Sequence, residues 1–160
     1  MLERYTEGAR RALFFARYAL SRHGADEITP EHLLLGLMPR LTYQGTDFQQ
    51  ATTAARLLEL AGLDNETVYR RMTPRGARLP VSVEVPFSAS TRRCLVAAGR
   101  EADQMNARPI TTGHLLLGLL QADGTAAATL LHDAGLRITE ARGHVEADLA
   151  AGVEGEPPRT

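Results

Sequence analysis

Apolar residues recur every three to four positions along most of the chain, the spacing of a single buried helical face. Ala9, Ala12, Leu13, Ala16 and Leu20 predict an amphipathic helix from Thr6 to about His23. Cys94, Leu95, Ala98, Ala102 and Met105 repeat that stripe. Two denser clusters follow, Leu33 to Leu37 and Leu115 to Leu119, each interrupted by one glycine. The first opens on Thr29-Pro30, an N-cap residue followed by proline at the first helical position, and stops near Met38-Pro39. Further helices are expected over about Phe48–Ala61, Asn65–Met72, Thr125–Ala134 and Ile138–Ala150. Gly62 and Gly135 stand where a left-handed residue ends the third helix of each set. The pattern therefore predicts an all-α protein of eight helices.

Those helices fall into two copies. Tyr5-Thr6-Glu7-Gly8-Ala9-Arg10-Arg11-Ala12-Leu13 matches Phe87-Ser88-Ala89-Ser90-Thr91-Arg92-Arg93-Cys94-Leu95 in the order aromatic, hydroxyl, three residues, Arg-Arg, small, Leu. At the same offset of 82, Ile28 to Leu37 matches Ile110 to Leu119 in eight of ten positions. Ala54 to Leu63 matches Ala127 to Leu136 at an offset of 73, so the first copy carries nine extra residues within Pro39–Gln50. An internal repeat of this kind sets the domain plan: residues 1–72 form one repeat, 73–86 a linker, 87–150 the second repeat and 151–160 a flexible tail. Val81, Val83 and Val85 alternate in the linker, which suits a short extended segment.

Composition narrows the chemistry. Basic and acidic residues number 18 and 19, a net charge of -1, which argues against a dedicated nucleic-acid binder. Every basic residue is arginine, so a phosphate-binding loop with its lysine, a Schiff base and Ser-Lys catalysis are all excluded. The single cysteine, Cys94, rules out an internal disulfide and cysteine-rich zinc sites. It aligns with Ala12 on the inward stripe and reads as a small buried hydrophobe. His32 and His114 hold equivalent places three residues after a threonine, where a histidine can bond back toward the N-cap. His23, His132 and His144 lack metal-ligand spacing. No catalytic constellation, metal site or cofactor is expected. A charged start and the lack of a long apolar run predict neither a signal peptide nor a membrane span, and a cytoplasmic address.

The doubled pattern of aromatic-hydroxyl start, Arg-Arg helix, Thr-x-x-His-Leu-Leu-Leu-Gly-Leu and Leu-Leu-x-x-x-Gly-Leu resembles the Clp repeat domain of Clp ATPase unfoldases, most nearly the ClpC type. The resemblance covers about residues 1 to 150. It implies an eight-helix, pseudo-two-fold tandem that receives protein or peptide substrates and docks on adaptors, without the ATPase modules. Some ClpC N domains bind phosphoarginine, with a carboxylate on the guanidinium and hydroxyls and a helix N-terminus on the phosphate. Carried over, Glu31, Thr29 and Thr6 become candidate ligand residues. The second copy has Gly113 where the glutamate should be, and Pro30 departs from the family's usual surroundings, so at most one such site is expected, in the first repeat.

Each functional reading has a plainer competitor. Glu31 in a first helical turn is favoured by the helix dipole alone. Arg10-Arg11 and Arg92-Arg93 suit a solvated, partly ion-paired face. Phe14, Phe15 and Tyr18 make the first helix apolar on more than one side, and Tyr18 aligns with Arg100. They form either a partner surface for an unfoldase, an adaptor or a second copy, or a seat for the long Pro39–Gln50 loop.

Overall fold

A computed structural model describes residues 2–39, 52–72 and 84–155. Eight helices lie in these residues: α1 (Glu7–His23), α2 (Pro30–Leu37), α3 (Thr53–Leu60), α4 (Asn65–Arg70), α5 (Ala89–Gln104), α6 (Thr112–Leu120), α7 (Ala126–Asp133) and α8 (Ile138–Ala151). The all-α architecture follows the hydrophobic pattern. The third helix starts later than Phe48, because Thr52 is extended and its hydroxyl caps the Ala55 N–H. Most of the nine-residue excess lies within residues 40–51, and Val81 and Val83 lie within 73–83. Both segments are outside the described residues.

Hydroxyl caps start the helices. Thr6, Thr29, Thr52, Ser88, Thr111 and Thr125 each accept an N–H from three residues on, at the ends of α1, α2, α3, α5, α6 and α7. The leucine-rich helices form the centre. α2 packs on α1 and α6 on α5, and α2 and α6 also meet. Every residue from Thr112 to Leu120 is buried, so α6 is the core helix, apolar on all sides.

The glycine in each leucine cluster has a steric cause. A Cβ on Gly36 would run into the Ala12 carbonyl oxygen, and one on Gly118 into the Cys94 carbonyl oxygen. Ala12 and Cys94 are themselves repeat equivalents. Both crossings therefore bring one helix onto the backbone of the other, a distance that only a residue without a side chain permits.

The halves are tied to each other by exchanged backbone bonds. Thr6 N–H donates to Ile110 O (3.0 Å) and Ile110 N–H to Arg4 O (2.7 Å). Ser88 N–H donates to Ile28 O and Ile28 N–H to Pro86 O, both 2.9 Å. Each pair is a short parallel bridge, Tyr5 with Ile110 and Phe87 with Ile28. The segment before the first helix of one repeat thus pairs with the segment before the second helix of the other. At the far end, Arg56 of α3 donates to both carboxylate oxygens of Asp148 on α8, at 2.8 and 2.7 Å. The Thr53 hydroxyl donates to the same carboxylate at 2.7 Å.

Gly36→Ala and Gly118→Ala should each lower unfolding free energy by roughly 2 kcal/mol or more, since the clash is with backbone. Gly143 lies inside α8 with open space where a Cβ would stand, and should respond oppositely: Gly143→Ala should gain about 1 kcal/mol. Urea denaturation of the three variants checks the contrast.

Candidate functional site

The exchanged bridges build two equivalent clefts, each from both repeats. In the first, α2 and α7 bring their N-termini together. Glu31, the second residue of α2, is half-buried, and its Oε2 accepts the Ala127 N–H at 3.0 Å. Burial raises its carboxyl pKa, and the hydrogen bond from Ala127 opposes that rise. The carboxylate borders a cleft of about 400 Å³ whose walls include Asp26, Glu27, Thr29, Arg71, Ser88 and Thr125. Arg71 reaches this cleft, but its guanidinium lies 3.9 Å from Asp133. Thr29 is present, with its hydroxyl engaged in capping α2.

Thr6 lies in the other cleft. The bridge to Ile110 sets Thr6 beside α6, and the matching bridge sets Ser88, its repeat equivalent, beside Glu31. The three candidate ligand residues therefore do not converge: Glu31 and Thr29 share one cleft, and Thr6 helps build its counterpart. Nor does either cleft belong to a single repeat.

The second cleft has a carboxylate after all, from the tail. Glu154 Oε1 accepts the Thr112 N–H and the Thr6 hydroxyl, both at 3.0 Å. Its Oε2 accepts the Thr53 N–H at 3.1 Å and a short bond from the Thr112 hydroxyl. Ala151 closes α8, and Glu154, three residues on, accepts four hydrogen bonds. Residues 156–160 lie outside the described residues. Gly113 leaves this cleft no room for a side chain of its own, because a Cβ there would come within 2.7 Å of Val145 Cγ2. Sequence reasoning missed Glu154. The glutamate missing from position 113 was the one signal that a carboxylate had to come from elsewhere.

The histidines act as helix caps. Nδ1 of His32 accepts the Thr29 N–H (2.9 Å), and Nδ1 of His114 accepts the Thr111 N–H (3.0 Å). In each case the histidine fills the place of the acid or amide in a capping box. His114 is fully buried and its Nε2 has no hydrogen-bond partner among the described residues. Burial, with help from the Arg4 charge, pulls its pKa down to about 4. Cys94 is buried as expected, and burial pushes its thiol up to about 11. The paired arginines serve their own helices: Arg11 bonds Glu7, Arg10 the Leu2 carbonyl, Arg92 the Phe87 carbonyl and Arg93 the Ser90 hydroxyl.

The aromatic residues of α1 divide. Phe14 is 56% exposed and Tyr18, one turn on, 38% exposed. Phe15 is half-buried and meets Phe14 edge-on, with ring centroids 5.6 Å apart. It lines a small cavity with Gly36, Met38, Thr52 and Ala55. Of the three, only Phe14 and Tyr18 thus form an outward ridge.

The Clp repeat (R) N-terminal domain family matches residues 4–134 and, as a second match, 86–158. The chain belongs to this family. It is 32% identical over 148 residues to the ATP-dependent Clp protease ATP-binding subunit ClpA homolog of Guillardia theta, covering 91% of this chain and 17% of that protein. Identity is also 32% to the chloroplastic chaperone protein ClpC of Pisum sativum, across 91% of this chain and 15% of the relative. The chain thus spans about a sixth of the length of these relatives. Among solved structures, the ClpD N-terminal domain of Arabidopsis thaliana superposes with TM-score 0.60 at 25% identity, covering 94% of this chain and 97% of that one. The Hsp104 N-terminal domain of Candida albicans gives 0.63 at 16% identity, over 99% and 98%. This chain therefore resembles the N domain of Clp unfoldases, a protein-interaction module. No described helix is long and apolar enough to cross a membrane.

Because the folded His114 titrates below the ordinary histidine range, its neutral form adds stability that is complete above pH 6.5 and lost as pH falls toward 4. His114→Gln keeps a capping-box side chain without that titration. Between pH 6.5 and 4 the variant should lose about 3 kcal/mol less unfolding free energy than the parent. Glu31, with its raised pKa, acts in the opposite direction but equally in both proteins. Denaturant titrations across this pH range measure the difference.

Proposed function

We propose that the chain is a non-catalytic protein- or peptide-binding module that receives a segment of another protein in the open cleft beside Glu31. The observation that carries this reading is the Glu31 carboxylate itself. It is half-buried at the edge of a cleft of about 400 Å³, and among the described residues its hydrogen bond comes from a backbone N–H and not from a guanidinium. A half-buried carboxylate that no cation of the described residues pairs with favours an incoming cation. Asp26 and Glu27 on the same wall add to that preference.

A phosphoarginine side chain fits the chemistry of this cleft. Its guanidinium suits Glu31. Its phosphate suits the N-terminus of α7, the hydroxyls of Ser88 and Ser90, and Arg71. Thr29 supports the site by fixing the start of α2. In this reading the module feeds marked proteins to a Clp unfoldase or withholds them from one.

A second reading draws on the α1 ridge. Phe14 and Tyr18 are exposed one turn apart, as a docking surface for an unfoldase or adaptor requires. The two readings separate by mutation. Glu31→Ala should weaken a phosphoarginine peptide by about tenfold or more, the scale of one charge-assisted pair, and Tyr18→Ala should leave it unchanged. Fluorescence anisotropy with the labelled peptide measures both, and thermal melts confirm that the variants are folded. Equal binding by the parent and Glu31→Ala would remove phosphoarginine from consideration. Loss of a purified unfoldase partner by Tyr18→Ala alone would favour the ridge.

A further inference from the structure

The four donors around Glu154 come from three separate parts of the fold. Thr6 caps α1, Thr53 opens α3 and Thr112 opens α6, yet their donors meet on one carboxylate. Two of the four donors are N–H groups at helix starts, which no residue of their own helix can satisfy. The partial positive charge of both helix ends points at the same place. Such a cluster would suit an oxyanion from outside the chain as well as it suits Glu154.

The backbone delivers the carboxylate there. Gly152 is left-handed, with φ 69°, and ends α8. Its N–H and that of Val153 return to carbonyls of Leu149 and Asp148, which folds the chain back across the helix end. Left-handed Gly155, φ 71°, follows immediately after Glu154. Two conformations that cost glycine little hold Glu154 between them. Ala151, Gly152 and Gly155 are exposed and Val153 is only half-buried, features of a segment that opens locally before the whole fold does.

We propose that Gly152–Gly155 is an intramolecular latch: Glu154 fills an oxyanion site built between the repeats, and an external oxyanion enters only when the latch opens. The module then has one open cleft, beside Glu31, and one closed by its own chain. This inference does not depend on what the open cleft binds.

Amide hydrogen exchange and NMR titration of the full chain test it, with inorganic phosphate and acetate as separate probes. In the unaltered protein, the Thr53 and Thr112 amides should exchange about tenfold or more faster than the core amide of Leu116, as local opening demands. Exchange of all three at the common rate of global unfolding would overturn the latch and leave a fixed structural cap. In Glu154→Ala, phosphate should shift the Thr53 and Thr112 resonances saturably, with an affinity about tenfold or more above that of the parent. A folded Glu154→Ala whose two amides ignore both probes, or a parent that responds equally, would also overturn the proposal. A response to acetate but not phosphate would identify the site as carboxylate-selective and would support the latch. If Glu154→Ala does not fold, the exchange measurement on the unaltered chain decides alone.

Discussion

Backbone pairing between the segments that precede the helices governs everything built above it. Thr6 and Ser88 each donate an N–H to an isoleucine carbonyl of the opposite repeat, and each isoleucine returns a bond. Peptide groups entering a core must find partners, and here they find them across the repeat boundary. This brings the cap of α1 to the start of α6, and the cap of α5 to the start of α2. The third helices complete the arrangement, with α7 facing Glu31 and α3 facing Glu154. Both clefts are thus products of the exchange.

The leucine-rich helices make that exchange possible. Their glycines allow α2 and α6 to sit directly on the backbones of α1 and α5, so both helix pairs are thin. Thin pairs let α2 and α6 touch each other and share one apolar cluster that includes Leu33, Leu58, Leu116 and Leu131. Polar contacts then lock the periphery. Arg142 donates to the buried Glu101 at 2.6 Å, joining α8 to α5, and Arg56 joins α3 to α8. The planar guanidinium suits both grips, since it can address two carboxylate oxygens at once.

Helix number, caps and core were legible in the sequence because they are local. The Thr29 cap, the histidine three residues after Thr29 and Thr111, and the inward Cys94 all follow from spacing along one helix, whereas the same spacing predicts a start near Phe48 and passes over the Thr52 cap of α3. The candidate site was legible only in parts. Glu31 stood out as a first-turn carboxylate, but nothing in the spacing of Thr6 places it across the molecule from Glu31. Aligning the repeats identifies which residues are equivalent, whereas the bridges decide which are neighbours. Phe15 shows a similar limit: its turn toward Gly36 and Met38 depends on how closely α2 approaches α1. Glu154 was the least legible of all. Its segment carries no periodicity, and its role follows from the crowding at Gly113, which leaves that position no side chain of its own.

The exchanged bridges also impose an order on folding. Tyr5 pairs with Ile110, so a segment made early in synthesis waits for one made much later. Until then the first repeat can form α1 and α2 by local contacts, but its Thr6 segment has no backbone partner. Closing so long a loop is entropically slow, although its cost grows only gently with length. Neither half can therefore finish its own architecture alone, and both clefts require segments of both repeats to be in place.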